Sequence, residues 1–269
     1  VIVGALITAV IQSSSATTVM TVGFVNAGLM KLKNAVWIIM GANIGTTITG
    51  QLVVIDISAL APLIAFIGVA LIAFFKNKKL DMIGGIIAGL GILFMGMDMM
   101  SGAMMPLRDS KEFVNIVSTF KNPLIGILVG AIFTAIIQSS SASVGILIAL
   151  AKSGVITLSS SIYVLFGQNI GTCITAVLAS IGTSKNAKRT TIIHLSFNII
   201  GTIIFVTISL LFPFADIVAS LTPGNVPAQI ANVHTIFNIG TTILLLPFGK
   251  QLVDLSYKLL PKRDEDIEI

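Results

Sequence analysis

A thirteen-residue run, Gly4 to Ala16, recurs 126 positions later as Gly130 to Ala142, and each copy carries Gln-Ser-Ser-Ser inside a long apolar segment. The same offset carries Gly28 to Gly154, Gly41-Ala42-Asn43-Ile44-Gly45-Thr46 to Gly167-Gln168-Asn169-Ile170-Gly171-Thr172, and Thr49 to Thr175. Aligned without a gap, residues 4–49 and 130–175 share 19 identities in 46 positions. Chance similarity among apolar helices does not fall on Gln, Asn, Ser and Thr. A chain built this way folds as two copies of one unit. Repeat 1 is read as 1–126, repeat 2 as 127–255, and 256–269 as a charged tail. The second copy is preceded by a helix, Gly84 to Met104, and a linker, whose counterpart would lie ahead of Val1, so the first copy is expected to lack its leading helix.

Composition decides where such a unit lives. Charged residues are 10% of the chain and the mean hydropathy is +1.02. Soluble domains carry roughly 25% charged residues to cover their surface. The chain is therefore an integral membrane protein, and nucleic-acid binding and a disulfide scaffold are excluded; Cys173 is the single cysteine. Apolar runs such as Pro62 to Phe75 and Ile192 to Phe212 are long and do not alternate, so the spans are helices and not barrel strands.

Eight apolar segments are predicted, at 4–28, 34–55, 60–75, 83–104, 123–150, 157–180, 190–212 and 228–249. An interfacial helix is expected in the amphipathic linker 105–122, with Asp109 and Glu112 as a capping box. Residues 213–227 read as a loop or short broken helix. If every segment crosses, the 16 basic residues divide 10 to 6. If segments one and five turn back midway, the repeats are inverted and the division becomes 12 to 4, with Arg108, Lys111, Lys121 and Lys152 in the minority. Turning back segments two and six gives 11 to 5. The positive-inside rule favours the 12-to-4 arrangement and puts its basic loops and the C-terminus in the cytoplasm.

The chemistry falls to uncharged residues. Gln followed by three Ser covers every face of a helix, so a continuous lipid-facing helix cannot hide them. Broken backbone at membrane depth is tolerated where it lines a cavity, and there half-helix N-termini and hydroxyls bind anions while free oxygens hold Na⁺. In the Gly-Asn motifs, Gly permits unusual dihedrals and Asn and Thr offer neutral oxygens; close helix packing through small residues competes with that reading. His194 with Asn198, and His234 with Asn238, share a helix face at i, i+4 and are candidate gate or support residues. Asp98 lies inside a predicted span and is a candidate by that fact alone. Asp56 and Asp216 read as interfacial. The methionines around Asp98 lack the Cys or His set that copper handling requires. No nucleophile–base pair, resident-metal cluster or phosphate loop is present, so no enzyme is expected.

The paired Gln-Ser-Ser-Ser motifs at 12–15 and 138–141, the Gly-Ala-Asn-Ile-Gly-Thr-Thr run at 41–47 and the His-x-x-Phe-Asn elements together resemble the Na⁺/phosphate cotransporter family. The resemblance covers nearly the whole chain. It implies an all-α polytopic membrane protein of two inverted-topology repeats whose re-entrant elements meet near the midplane, in the plasma membrane. It implies Na⁺-driven symport of inorganic phosphate by alternating access, no cofactor, and in bacterial members a PhoU-like cytosolic domain or partner. On that footing Ser13, Ser14, Ser15, Ser139, Ser140 and Ser141 are expected to cradle phosphate. Gln12, Asn43, Thr46, Thr47, Gln138, Asn169, Thr172 and Thr175 are expected to ligate Na⁺ or brace the tips. Transport of another small oxyanion, a phosphate-sensing subunit and a passive channel remain alternatives.

Overall fold

A computed structural model describes residues 1–55 and 57–261. The interfacial reading of Asp56 and the charged run 262–266 lie outside the described residues. The described chain is helical with no strand. Repeat 1 holds α1 (Ile2–Ile11), α2 (Ser14–Asn26), α3 (Leu32–Val53), α4 (Ala61–Phe74) and α5 (Lys78–Met104). The linker forms α6 (Lys111–Thr119). Then follow α7 (Pro123–Ile137), α8 (Ser140–Lys152), α9 (Leu158–Gly171), α10 (Ile174–Ala179), α11 (Lys185–Leu211), α12 (Phe214–Leu221), α13 (Val226–Leu245) and α14 (Gly249–Leu259).

Five stretches among the described residues are long and apolar enough to cross a membrane: Leu32–Val53, Lys78–Asp109, Leu158–Ala179, Lys185–Leu211 and Val226–Leu259. The apolar segment 60–75 folds as the 14-residue α4, about 21 Å long and short of a ~30 Å core. Segments one and five each break in two. Their halves α1, α2, α7 and α8 have 10 to 15 residues, about 15–22 Å, and none spans the hydrocarbon alone. Exposed Leu6, Val10, Phe66, Ile86, Ile132 and Ile136 form an apolar outer surface suited to lipid.

The direction of each helix follows from its contacts. Alongside α3, α1 runs in the same sense: a Cβ on Gly41 would overlap the Val1 carbonyl, and one on Gly45 would lie 2.5 Å from the Ala5 carbonyl. Helix α2 then returns to the end of the molecule that carries Lys31 and Lys33, where the Asn26 side chain accepts from the Ser184 N–H at 2.8 Å. In the second copy α7 runs with α9 in the same way. Gly167 faces the Ile127 carbonyl and Gly171 the Ala131 carbonyl, each contact displaced by 126 residues from its counterpart. Helix α8 returns to Lys152, which pairs with Asp98 at 2.5 Å. Lys152 borders a small cavity together with Val53, at the far end of α3, about 30 Å from Lys31 by helix rise. The two helix pairs therefore enter from opposite ends.

Basic residues sort with these ends. Lys31, Lys33, Lys185, Lys188, Arg189, Lys250 and Lys258 sit around the start of α3, the start of α11 and α14. Arg108 lies against Gly154 near Lys152, and α6 carries Lys111 at that opposite end. At the basic end a cavity of about 1040 Å³ opens between α2, α3, α11 and α14.

Two clusters form the core. Phe166, Phe205, Phe214 and Phe237 stack and edge together with ring centroids 5.0 to 6.4 Å apart. Leu32, Val36, Ile39, Ile193, Phe197 and Leu252 pack nearer the basic end. The amphipathic linker is helical as expected, but its cap is Ser110, whose hydroxyl accepts from the Phe113 N–H and donates to Glu112; Asp109 takes no part in a capping box. Residues 214–221 form the short helix anticipated between 213 and 227. Amphipathic α14 was not expected. It is held by buried Arg189, whose guanidinium donates to the Leu260 carbonyl at 2.8 and 3.0 Å and lies over the Tyr257 ring.

Candidate functional site

Both Gln-Ser-Ser-Ser motifs break their helices in the same way. Gln12 and Gln138 take the left-handed conformation at φ 58° and 59°, and they are the non-glycine residues with positive φ among those described. Each donates its backbone N–H to the Thr four residues back, at 2.7 Å in both copies, closing the first helix. Ser13 and Ser139 are extended and cap the second helix, accepting from the N–H of Ala16 at 3.1 Å and Ala142 at 3.2 Å. The chain reverses at a Gln that ends one helix and a Ser that begins the next.

The reversals bring the two motifs together. Ser14 Oγ and Ser140 Oγ lie 3.5 Å apart, both buried. They open α2 and α8, so two helix N-termini converge on one point. Uncommitted first-turn N–H groups and the positive ends of two helix dipoles face it. Ser13 and Ser139 spend an acceptor lone pair on capping and keep a hydroxyl hydrogen to donate. Ser141 Oγ lies 3.4 Å from Thr49 Oγ1 and Ser15 is half-buried.

The Gly-Asn motifs do not unwind at their glycines. Gly41 and Gly45 lie inside regular α3 and Gly167 inside α9, whose last residue is Gly171. Each meets neighbouring backbone at a distance no side chain allows. The expectation of unusual dihedrals is thus corrected: close packing of α1 on α3 and α7 on α9 explains these residues. Thr46, Thr47, Thr172 and Thr175 all donate back to carbonyls three or four residues earlier, leaving oxygen lone pairs available. Asn43 donates to the Ile39 carbonyl at 2.9 Å and Asn169 to that of Leu165 at 2.9 Å. Asn238 Nδ2 donates to Asn169 Oδ1 at 3.2 Å, tying α13 to the second motif. Asn198 Nδ2 lies 3.4 Å from Cys173 Sγ. His194 and His234 are buried, and Asn198 Oδ1, Asn238 Oδ1 and both His Nδ1 atoms have no hydrogen-bond partner among the described residues. His234 lies beside Gly50 of α3, close to the tips. Asp98 lies in α5, within the candidate span Lys78–Asp109 as expected, and its half-exposed carboxylate pairs with Lys152.

Some residues at the site were not in the expected set. Thr49 donates to Gln12 Oε1 at 2.7 Å and so joins α3 to the first tip. Thr8 donates to Thr17 at 2.8 Å and closes the first hairpin. Gln168 Nε2 donates to the Ser143 carbonyl at 3.1 Å. Gln138, by contrast, is exposed, and its side chain forms no hydrogen bond among the described residues. The equivalence of Thr49 with Thr175 was the available signal for Thr49.

The fold and the neutral, doubled site define a polytopic α-helical membrane transporter. The chain matches the family model described as Na+/Pi-cotransporter over residues 1–102 and 107–221, and it belongs to that family. The family consists of transporters and not enzymes; Na⁺ is a transported ion, and no cofactor is used. Among relatives, "Uncharacterized protein YqeW" of Bacillus subtilis is 33% identical over 97% of this chain and 84% of its own length. "Putative inorganic phosphate export protein YjbB" of Escherichia coli is 28% identical over 90% of this chain, which spans 44% of that protein. "Sodium-dependent phosphate transport protein 2B" of Homo sapiens is 26% identical over 66% of this chain and 27% of its own. No solved structure matches.

Proposed function

We propose that the chain is a Na⁺-coupled symporter of inorganic phosphate working by alternating access. The observation that carries this reading is the meeting of Ser14 and Ser140, 3.5 Å apart at two converging helix N-termini. Hydroxyls, backbone N–H groups and helix dipoles bind a phosphate without fixed cationic side chains. Neutral oxygens from Gln12, Asn43, Asn169, Thr46, Thr47, Thr172 and Thr175 supply Na⁺ ligands. A cation bound there offsets the anion's charge, so each favours the other's binding. Helix pairs that enter from opposite ends support re-entrant hairpins and inverted repeats, because the operation that swaps the copies also swaps the two sides. The clustering of basic residues at the Lys31 end supports placing that end in the cytoplasm and the protein in the plasma membrane.

Phosphate flux into proteoliposomes tests the reading. Uptake is expected with an inward Na⁺ gradient and not without one, and Ser14→Ala or Ser140→Ala abolishes it. Unchanged uptake by both variants would overturn the assignment of the serines. The likeness to a protein named for phosphate export favours a second reading, in which the same site carries phosphate outward. Efflux from phosphate-loaded vesicles, with the Na⁺ gradient reversed, separates the two. Competition by sulfate and carboxylates tests the anion.

A further inference from the structure

We propose that Thr49 and Thr175 are alternately engaged latches: here Thr49 ties the Gln12 tip to α3, and in the opposite access state Thr175 ties Gln138 to a straightened α9–α10. This inference rests on the alternating-access reading above.

Identical residues behave differently in the two copies. Thr49 donates to Gln12 Oε1 at 2.7 Å, whereas Thr175, its equivalent, donates to its own helix at Thr172 and Gln138 stays exposed. Thr8 donates to Thr17 at 2.8 Å, whereas the equivalent Thr134 and Ser143 hydroxyls are buried with no partner among the described residues. Helix α3 runs unbroken from Leu32 to Val53, whereas its counterpart stops at Gly171 and resumes at Ile174. Thr49 thus lies within its continuous helix, while Thr175 lies past a two-residue break.

Thr, Gln and Thr at 49, 12 and 8 recur unchanged at 175, 138 and 134, and Thr17 is matched by Ser143, which keeps the hydroxyl, so the difference lies in conformation and not in hydrogen-bonding groups. Buried hydroxyls left without partners are costly. Thr134 and Ser143 are matched to a pair that does bond, which identifies the arrangement that would satisfy them. Exchanging the conformations of the copies makes the Thr175–Gln138 and Thr134–Ser143 contacts and releases Thr49–Gln12 and Thr8–Thr17. Both states then hold the same number of latches, as a transporter cycling between states of similar energy requires.

The test uses the whole chain with Cys173→Thr, which installs the residue of the first copy. Spin labels on Leu29→Cys and Leu259→Cys, both exposed and within two residues of the lining of the basic-end cavity, report its width in nanodiscs with Na⁺ and phosphate. Thr49→Val and Thr175→Val are expected to shift the distance distribution in opposite directions. The double variant returns toward the reference, and Thr49→Ser and Thr175→Ser match it. Shifts in the same direction, or none, in a protein whose reference still shows Na⁺-driven uptake would overturn the latch exchange alone. A reference without Na⁺-driven flux overturns the alternating-access reading and this inference with it.

Discussion

Gly167→Ala puts the packing of α7 on α9 to a direct test. A Cβ built on Gly167 lies 2.7 Å from the Ile127 carbonyl carbon and 2.8 Å from its Cα, with the carbonyl oxygen closer still. Carbon atoms at rest sit about 3.5–4.0 Å apart, so the helices must part by about 1 Å. No flexible side chain is available to yield, because every close atom is backbone. Overpacking costs about 1–3 kcal/mol, and a clash of this kind belongs at the upper end. The serine tip rides on α7, so the substitution also displaces Ser139, Ser140 and Ser141. Gly89→Ala is the control: nothing lies within 4 Å of its Cβ, and it sits inside α5. Replacing such a helix glycine stabilises by about 0.5–1 kcal/mol. Unfolding in detergent, followed by the fluorescence of Trp37, reads both, and proteoliposome uptake reads the tip. Gly167→Ala should unfold well before the parent and lose most uptake, while Gly89→Ala should gain stability and keep it. A Gly167→Ala protein as stable and active as the parent would refute the reasoning.

Other outcomes follow from single contacts. Phe166→Ala removes the ring shared by the aromatic cluster and is expected to cost about 3–5 kcal/mol in the same unfolding assay. Arg189→Leu deletes two guanidinium bonds to the Leu260 carbonyl; it should destabilise by about 2 kcal/mol and hasten proteolysis near α14. Asp98→Asn breaks a pair whose side chains are 38–40% exposed, so its effect is expected to stay below about 1 kcal/mol, with uptake close to wild type.

The serine motifs were legible because four polar residues in a row leave a lipid-bathed helix no face to hide them on. The sequence therefore specified a break, and the structure places it at Gln12 and Gln138. The Gly-Asn motif was less legible. Glycines four apart serve a close-packed seam and an unwound turn equally well, and only the partner helix tells them apart. Thr49 escaped because its partner is 37 residues away and depends on α1 running parallel to α3. Helix α14 was missed although Leu252, Val253 and Ser256 mark one buried face; Asp254 between them and the flanking Lys250 and Lys258 masked the pattern. Asp98 was legible as lying within a span, and the candidate span Lys78–Asp109 contains it. Its pairing with Lys152 comes from α8, which the local sequence does not show.

Where backbone touches backbone along the glycine seams, α1 with α3 and α7 with α9 behave as stiff beams. The second seam ends at Gly171, and the break follows immediately. Beyond it, residues 172–179 form an arm about 12 Å long, whose end sweeps about 4 Å for a bend of about 20°. Such a bend leaves the beam, and with it the serine tip, in place. On the function proposed above, the grip on the cargo and the arm that moves are mechanically separate parts. Changes along the seam should therefore alter which anion is held, and changes past the break should alter how fast it passes.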